Sequence, residues 1–212
     1  MDYSLDTCVV VGFTFCPDKH YPPSNKFISN TQKKLYWTTT VKKEYTRKYS
    51  KINNIIIKFT NTIIEISRRK DGAFIDSYDI FEKLFLNNTR HIKLDLEKKI
   101  RILKYLWNKI GNILDFNKIK SILLNVLGIF EIRKTILDEK LHYHHCTSNV
   151  HEKYKNLAKK FVENGGHTPD DIVIIESHDL GLNQEVSIIT FDKDFCKACS
   201  KTNGLSVECL LC

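Results

Sequence analysis

No apolar run in this chain approaches the roughly 20 residues needed to cross a bilayer. The N-terminus also lacks the basic region of a secretory signal, because Asp2 and Asp6 flank its first apolar residues. A soluble, cytoplasmic protein with no membrane partner is expected. A disulfide framework is missing too: the seven cysteines are an odd number, and several, Cys8 among them, stand in apolar contexts that suit reduced thiols. What is present suffices for a folded core, since 212 residues make about one domain and 42% of them are hydrophobic. The formal net charge of +8 and the pI near 9.0 would draw in phosphate backbones and make binding salt-sensitive. The competing reading is that the lysines of an Ile-, Lys- and Asn-rich chain simply solvate helix faces.

Against this background, four acids stand where a strand hands over to a helix: Asp6, Glu44, Asp171 and Asp192. Asp6 interrupts the run Tyr3-Ser4-Leu5-Asp6-Thr7-Cys8-Val9-Val10-Val11, whose β-branched residues read as an N-terminal strand. Glu44 follows the segment Lys33–Thr40, which ends in threonines able to cap a helix starting near Val41. Asp171 belongs to Thr168-Pro169-Asp170-Asp171, read as an N-cap, a proline at the first helical position and two acids in the opening turn. Asp192 closes the strand-like Val186-Ser187-Ile188-Ile189-Thr190-Phe191, at the carboxyl end where open α/β sheets place their sites. Gathered carboxylates repel one another, and a cation between them resolves the conflict.

Each acid also has an ordinary explanation. Asp171 would complete a capping box with Thr168. Glu44 would pair along its helix with Arg47 or Lys48, three and four residues on. Asp192 and Asp194 would shape a turn. Asp6 is hardest to explain this way, because a charge inside an apolar strand costs several kcal/mol unless it is paired or metal-bound.

The stretches Leu5-Asp6-Thr7-Cys8-Val9-Val10, Trp37-Thr38-Thr39-Thr40-Val41-Lys42-Lys43-Glu44, Thr168-Pro169-Asp170-Asp171 and Ile188-Ile189-Thr190-Phe191-Asp192-Lys193-Asp194-Phe195 together resemble the PIN-domain nucleases. The resemblance covers about the first and last 50 residues. It implies a three-layer α/β/α fold around a central, mainly parallel sheet, with the first acid ending strand one. It further implies Mg²⁺ or Mn²⁺ held by Asp6, Asp171, Asp192 and Glu44, with Thr190 orienting the site and Asp194 an auxiliary acid. Asp170 rivals Asp171, which better matches the family's spacing to the following apolar residues. The implied activity is endoribonucleolytic hydrolysis by metal-activated water, in RNA processing or decay.

On this reading Lys42, Lys43, Arg47 and Lys48 draw an RNA backbone toward the site. The alternatives are a non-catalytic RNA-binding or scaffolding protein, or a toxin with an antitoxin-like partner, against which the long middle argues. A homodimer is a further assembly considered.

Residues 1–212 are read as one PIN-like domain with an enlarged helical middle at 50–166. Apolar stripes run through Ile52, Ile55, Ile56, Phe59, Ile63 and Ile66, through Ile100, Leu103, Leu106, Trp107, Ile110 and Leu114, and through Ile119, Ile122, Leu123, Val126, Leu127 and Phe130. A charged helix is expected from His151 to about Glu163, stopped by Gly165-Gly166. Cys196, Cys199, Cys209 and Cys212 have the paired spacing of a zinc knuckle. The resemblance instead puts the first pair on a helix and Val207–Leu211 in the last strand. His142, His144, His145 and Cys146 form another metal-capable cluster, without a partner pair at defined spacing in the sequence.

Overall fold

A computed structural model describes residues 1–202 and 206–210. The chain separates into two compact units, one of Met1–Cys16, His20–Lys48 and Lys134–Cys212, the other of Pro17–Lys19 and Tyr49–Arg133.

The first unit is built on five parallel strands: β1 (Asp2–Leu5), β2 (Leu35–Thr38), β3 (Leu141–His144), β4 (Val186–Thr190) and β5 (Ser206–Cys209), in spatial order β3-β2-β1-β4-β5. The fold class is α/β, with every strand pair parallel. The strands are short, and their alternation sends side chains to opposite faces. From β1, the Ser4 hydroxyl meets that of Ser177 at 2.9 Å on one face, while the Tyr3 ring meets Phe27 edge-on on the other. Ser177 lies on α9 (Asp170–Gly181) and Phe27 on α2 (Tyr21–Asn30). Helices thus cover both faces, an arrangement compatible with three layers.

The strand expected over Tyr3–Val11 ends at Leu5, and Thr7–Thr14 forms helix α1. Val9, Val10 and Val11 are buried on it, so tertiary burial overrides their β preference. Gly12 lets α1 approach α2 closely, since a Cβ there would sit 2.6 Å from the Ser24 hydroxyl. Helix α3 (Thr39–Arg69) starts directly after β2. The expected threonine cap is supplied differently: Glu176 of α9, fully buried, accepts from Thr40 N at 2.8 Å and Thr40 Oγ1 at 2.9 Å. His151 Nε2 lies 3.0 Å from the same carboxylate. The charged helix expected from His151 is two short ones, α7 (Ser148–Lys153) and α8 (Lys155–Glu163), divided at Tyr154. Helix α10 (Lys193–Lys201) joins β4 to β5.

In the second unit, α3 continues from Tyr49, followed by α4 (Tyr78–Asn88), α5 (Leu96–Ile110) and the larger part of α6 (Phe116–Lys140). Ile56, Phe59, Ile63, Leu103, Leu106, Ile119, Leu123 and Phe130 from the three expected stripes are buried. Phe81 and Phe85 of α4 add an edge-to-face pair with centroids 4.7 Å apart. The buried Lys99 ammonium donates to the Thr89 carbonyl at 2.7 Å, and burial lowers its pKa. No described helix is long and apolar enough to cross a membrane.

Glu176 is enclosed and accepts from α3 and α7 together, so its loss strands two α3 donors and a histidine. Glu176→Ala should lower unfolding free energy by about 3 kcal/mol in denaturant melts, and Thr40→Val by about 1 kcal/mol. Substitution effects at the two positions should be non-additive in a double-mutant cycle.

Candidate active site

The strand order dictates where a site belongs. Strands β2 and β3 extend the sheet to one side of β1, and β4 and β5 to the other, so the connections diverge at the β1–β4 boundary. The crevice outside the carboxyl ends of those two strands is the place where open α/β sheets bind ligands. Asp6 immediately follows β1, and Asp192 stands two residues beyond β4.

Thr190, the last residue of β4, joins these acids. Its hydroxyl donates to Asp6 Oδ2 at 2.7 Å and accepts from the Asp192 backbone N–H at 3.0 Å. The Cys8 thiol is a second donor to Asp6 Oδ2, at 2.9 Å. Burial, followed by the Asp6 charge and this bond, raises the Cys8 pKa, which keeps the proton on sulfur. Asp6 Oδ1 accepts no hydrogen bond from the described residues and is left available. Asp192 uses Oδ1 to cap α10, accepting from the Asp194 and Phe195 N–H groups at 2.8 and 3.0 Å.

Glu44 enters from the second turn of α3. Thr7, adjacent to Asp6, donates to Glu44 Oε2 at 2.7 Å, and Lys48 Nζ stands 2.7 Å from Oε1. Burial pushes the Glu44 carboxyl up, but the bonds from Lys48 and Thr7, with the charges of Lys48 and Arg47, hold it below the usual range. The helical ion pair and the site position therefore coexist in one residue.

The third acid in the crevice is Asp170, in place of the expected Asp171. Asp170 is pushed up to about 6, first by burial and then by the charges of Asp6, Asp192 and Glu44, with His167 opposing. Asp171 turns back on its own helix, its Oδ1 accepting from Ile172 N at 3.0 Å. Pro169 is the N-cap of α9, not its first helical residue, and no side chain caps this end. The capping box with Thr168 is thus not formed. Successive helical residues project about 100° apart, so Asp170 and Asp171 leave α9 on different sides. Pairing in the crevice follows from a boundary that local motifs locate only to within a residue or two.

Asp194 is 69% exposed, its carboxylate 3.4 Å from Lys197 Nζ. Of the basic residues near Glu44, Lys48 is its ion-pair partner and Lys42 Nζ lies over the Trp37 and Tyr143 rings at 5.0 and 4.7 Å. Lys43 and Arg47 are exposed and, among the described residues, form no ion pair. Cys196 and Cys199 lie on α10 and Cys209 on β5, while Cys212 and the expected strand end Leu211 fall outside the described residues. Cys199 is buried, and burial with the Cys196 and Asp170 charges pushes its thiol up to about 12.

The acids of the crevice offer hard carboxylate oxygens, a donor type suited to Mg²⁺ or Mn²⁺, beside the Cys8 thiol that donates to Asp6. Among the described residues, three ligand-type groups with donor atoms all within 4.8 Å of one another occur at His144, Cys146 and Asp179, and the crevice acids form no such group.

Asp170 titrates above its ordinary 3.8, so ionising it costs the folded state. Relative to an Asp170→Asn variant, the protein should be most stable below about pH 4 and should lose that relative stability as pH rises through 6. In metal-free protein, carboxyl-carbon NMR should give an Asp170 midpoint near 6, moving down in Asp192→Asn. An ordinary carboxylate midpoint would show that the acids do not share a crevice.

In comparisons with protein-family models, with curated proteins and with solved structures, no match to this chain was found.

Proposed function

We propose that the chain is a PIN-like, metal-dependent endoribonuclease whose site is the β1–β4 crevice. The observation that carries this reading is the convergence of Asp6, Glu44, Asp170 and Asp192 at the topological switch point, where Asp170 feels the charge of the other three. A structural role does not call for an acid held half-buried among three others.

Asp6, Asp170 and Asp192 would hold the ion, with Glu44 ligating or orienting a bound water. When bound, Mg²⁺ or Mn²⁺ supplies an activated water and neutralises charge at the scissile phosphate. The chain's own residues do the positioning. Thr190 fixes Asp6 relative to the turn that carries Asp192, and Cys8 holds the other side of the same Asp6 oxygen. Thr7 and Lys48 orient Glu44 and keep it ionised. Without an ion Asp170 titrates near 6, so an ion bound there would displace a proton from it close to neutrality. Lys43 and Arg47, one turn of α3 apart and exposed, offer their charges to an RNA backbone.

The decisive experiment is cleavage of single-stranded RNA with Mn²⁺ or Mg²⁺. Asp6→Asn, Asp170→Asn and Asp192→Asn should each lower the rate on the order of 10³-fold, the several kcal/mol attributed to metal-centred stabilisation. Asp171→Asn and Asp194→Asn should stay within about threefold, because Asp171 bonds within its own helix and Asp194 is exposed beside Lys197. Tight RNA binding without cleavage would turn the reading to an RNA-binding scaffold.

The basic row of α3 generates a second expectation. In RNA-binding titrations over a range of salt, Lys43→Ala with Arg47→Ala should reduce the slope of log affinity against log salt by roughly 1.4, two single-strand phosphate contacts. An unchanged slope would assign these charges to solvation alone.

A further inference from the structure

A second constellation lies where β3 ends. His144 is the last residue of β3, Cys146 follows two residues later, and Asp179 belongs to α9, the helix covering that face. Donor atoms from all three lie within 4.8 Å of one another. Tetrahedral zinc ligands at about 2.0–2.3 Å from the metal stand roughly 3.3–3.8 Å apart, so small side-chain adjustments complete the geometry.

The three groups are held before any ion arrives. His144 Nε2 lies 3.0 Å from Asp179 Oδ2, holding imidazole and carboxylate together. The Cys146 backbone N–H donates to Thr39 Oγ1 at 2.8 Å, pinning the thiol-bearing loop to the start of α3. Cys146 is 5% exposed, while His144 and Asp179 side chains are each 22% exposed, enough for an ion to enter. Burial, and then the charges of Glu176 and Asp179, push the Cys146 thiol up to about 12 in the absence of an ion.

An independent observation marks the same place. Thr38 pairs in register with His144, so the two side chains leave the sheet on one face. The Thr38 hydroxyl is fully buried and has no hydrogen-bond partner among the described residues. A buried hydroxyl without a partner calls for a ligand or water beside it. Ser4, on the same face through the register Ser4↔Tyr36, finds its partner in Ser177, which makes the orphaned Thr38 an exception within the layer.

We propose that His144, Cys146 and Asp179 form a Zn²⁺ site that ties the edge strand β3 to α9 and leaves one coordination position to water. Imidazole and thiolate select zinc over Mg²⁺ or Mn²⁺, in contrast to the carboxylates of the crevice. Binding displaces the Cys146 thiol proton to solvent, and the thiolate's lone pair goes to the metal. The site is separate from the proposed catalytic acids, since Asp170 and Asp179 are nine residues, about 13 Å, apart along α9. It does not depend on nuclease activity.

The test is optical titration of the full chain with Co²⁺, followed by Zn²⁺ competition against a chromogenic chelator. To remove the other paired cysteines, it is run in a Cys196→Ser, Cys199→Ser, Cys209→Ser, Cys212→Ser background. One equivalent of Co²⁺ should produce a thiolate-to-cobalt charge-transfer band, abolished by Cys146→Ser. His144→Ala and Asp179→Asn should each weaken Zn²⁺ binding at least about 10-fold. Circular dichroism of the metal-free variants checks folding, and Asp179→Asn, nearly isosteric, carries the test if Cys146→Ser does not fold. Absence of the band in that background, its survival in Cys146→Ser, or unchanged Zn²⁺ affinity in folded Asp179→Asn would overturn the assignment.

Discussion

The hydroxyl of Thr190 is the hinge of the first unit. In one direction it donates to Asp6, in the other it receives the Asp192 backbone N–H, and so it locks the exit of β1 to the exit of β4. Both strands are only four or five residues long, and their parallel pairing alone leaves the chain beyond them free to diverge. With this bridge, two carboxylates from opposite ends of the sequence share one crevice despite their repulsion. The Cys8 thiol and Thr7 hydroxyl extend the same logic, supplying neutral donors that stabilise negative charge without cancelling it. Lys48 compensates Glu44 alone.

Legibility in the sequence followed the range of the interactions involved. The helical stripes of the middle were readable because an apolar face repeats within a window of a few turns, and Ile56, Phe59, Ile63, Leu103, Leu123 and Phe130 are indeed enclosed. Strand β4 and the turn after it were readable for a similar reason, as Ile188 and Ile189 stop abruptly at Thr190. Val9–Val11 misled, because composition favours a strand where burial on every side of a short helix decides otherwise.

The acids were legible as a set and not in detail. Asp6, Glu44 and Asp192 stand in the crevice, whereas the choice between Asp170 and Asp171 turned on whether Pro169 opens the helix or precedes it. Two further arrangements had no local signature. Glu176 looks like any helix acid until Thr40, 136 residues away, is brought onto it. His144 and Cys146 lacked a visible partner at defined spacing, and Asp179 reaches them only through packing of α9 on the sheet.

The buried Glu176 has an implication for how variation in this chain would read out. The two turns of α3 that begin at this anchor also carry Lys43, Glu44 and Arg47, so a change on the concealed face of α9 would be felt along a row of residues it does not bond. In a saturation scan for the proposed activity, position 176 would score with the crevice acids, and ranking by phenotype alone would mistake a scaffold anchor for a member of the site.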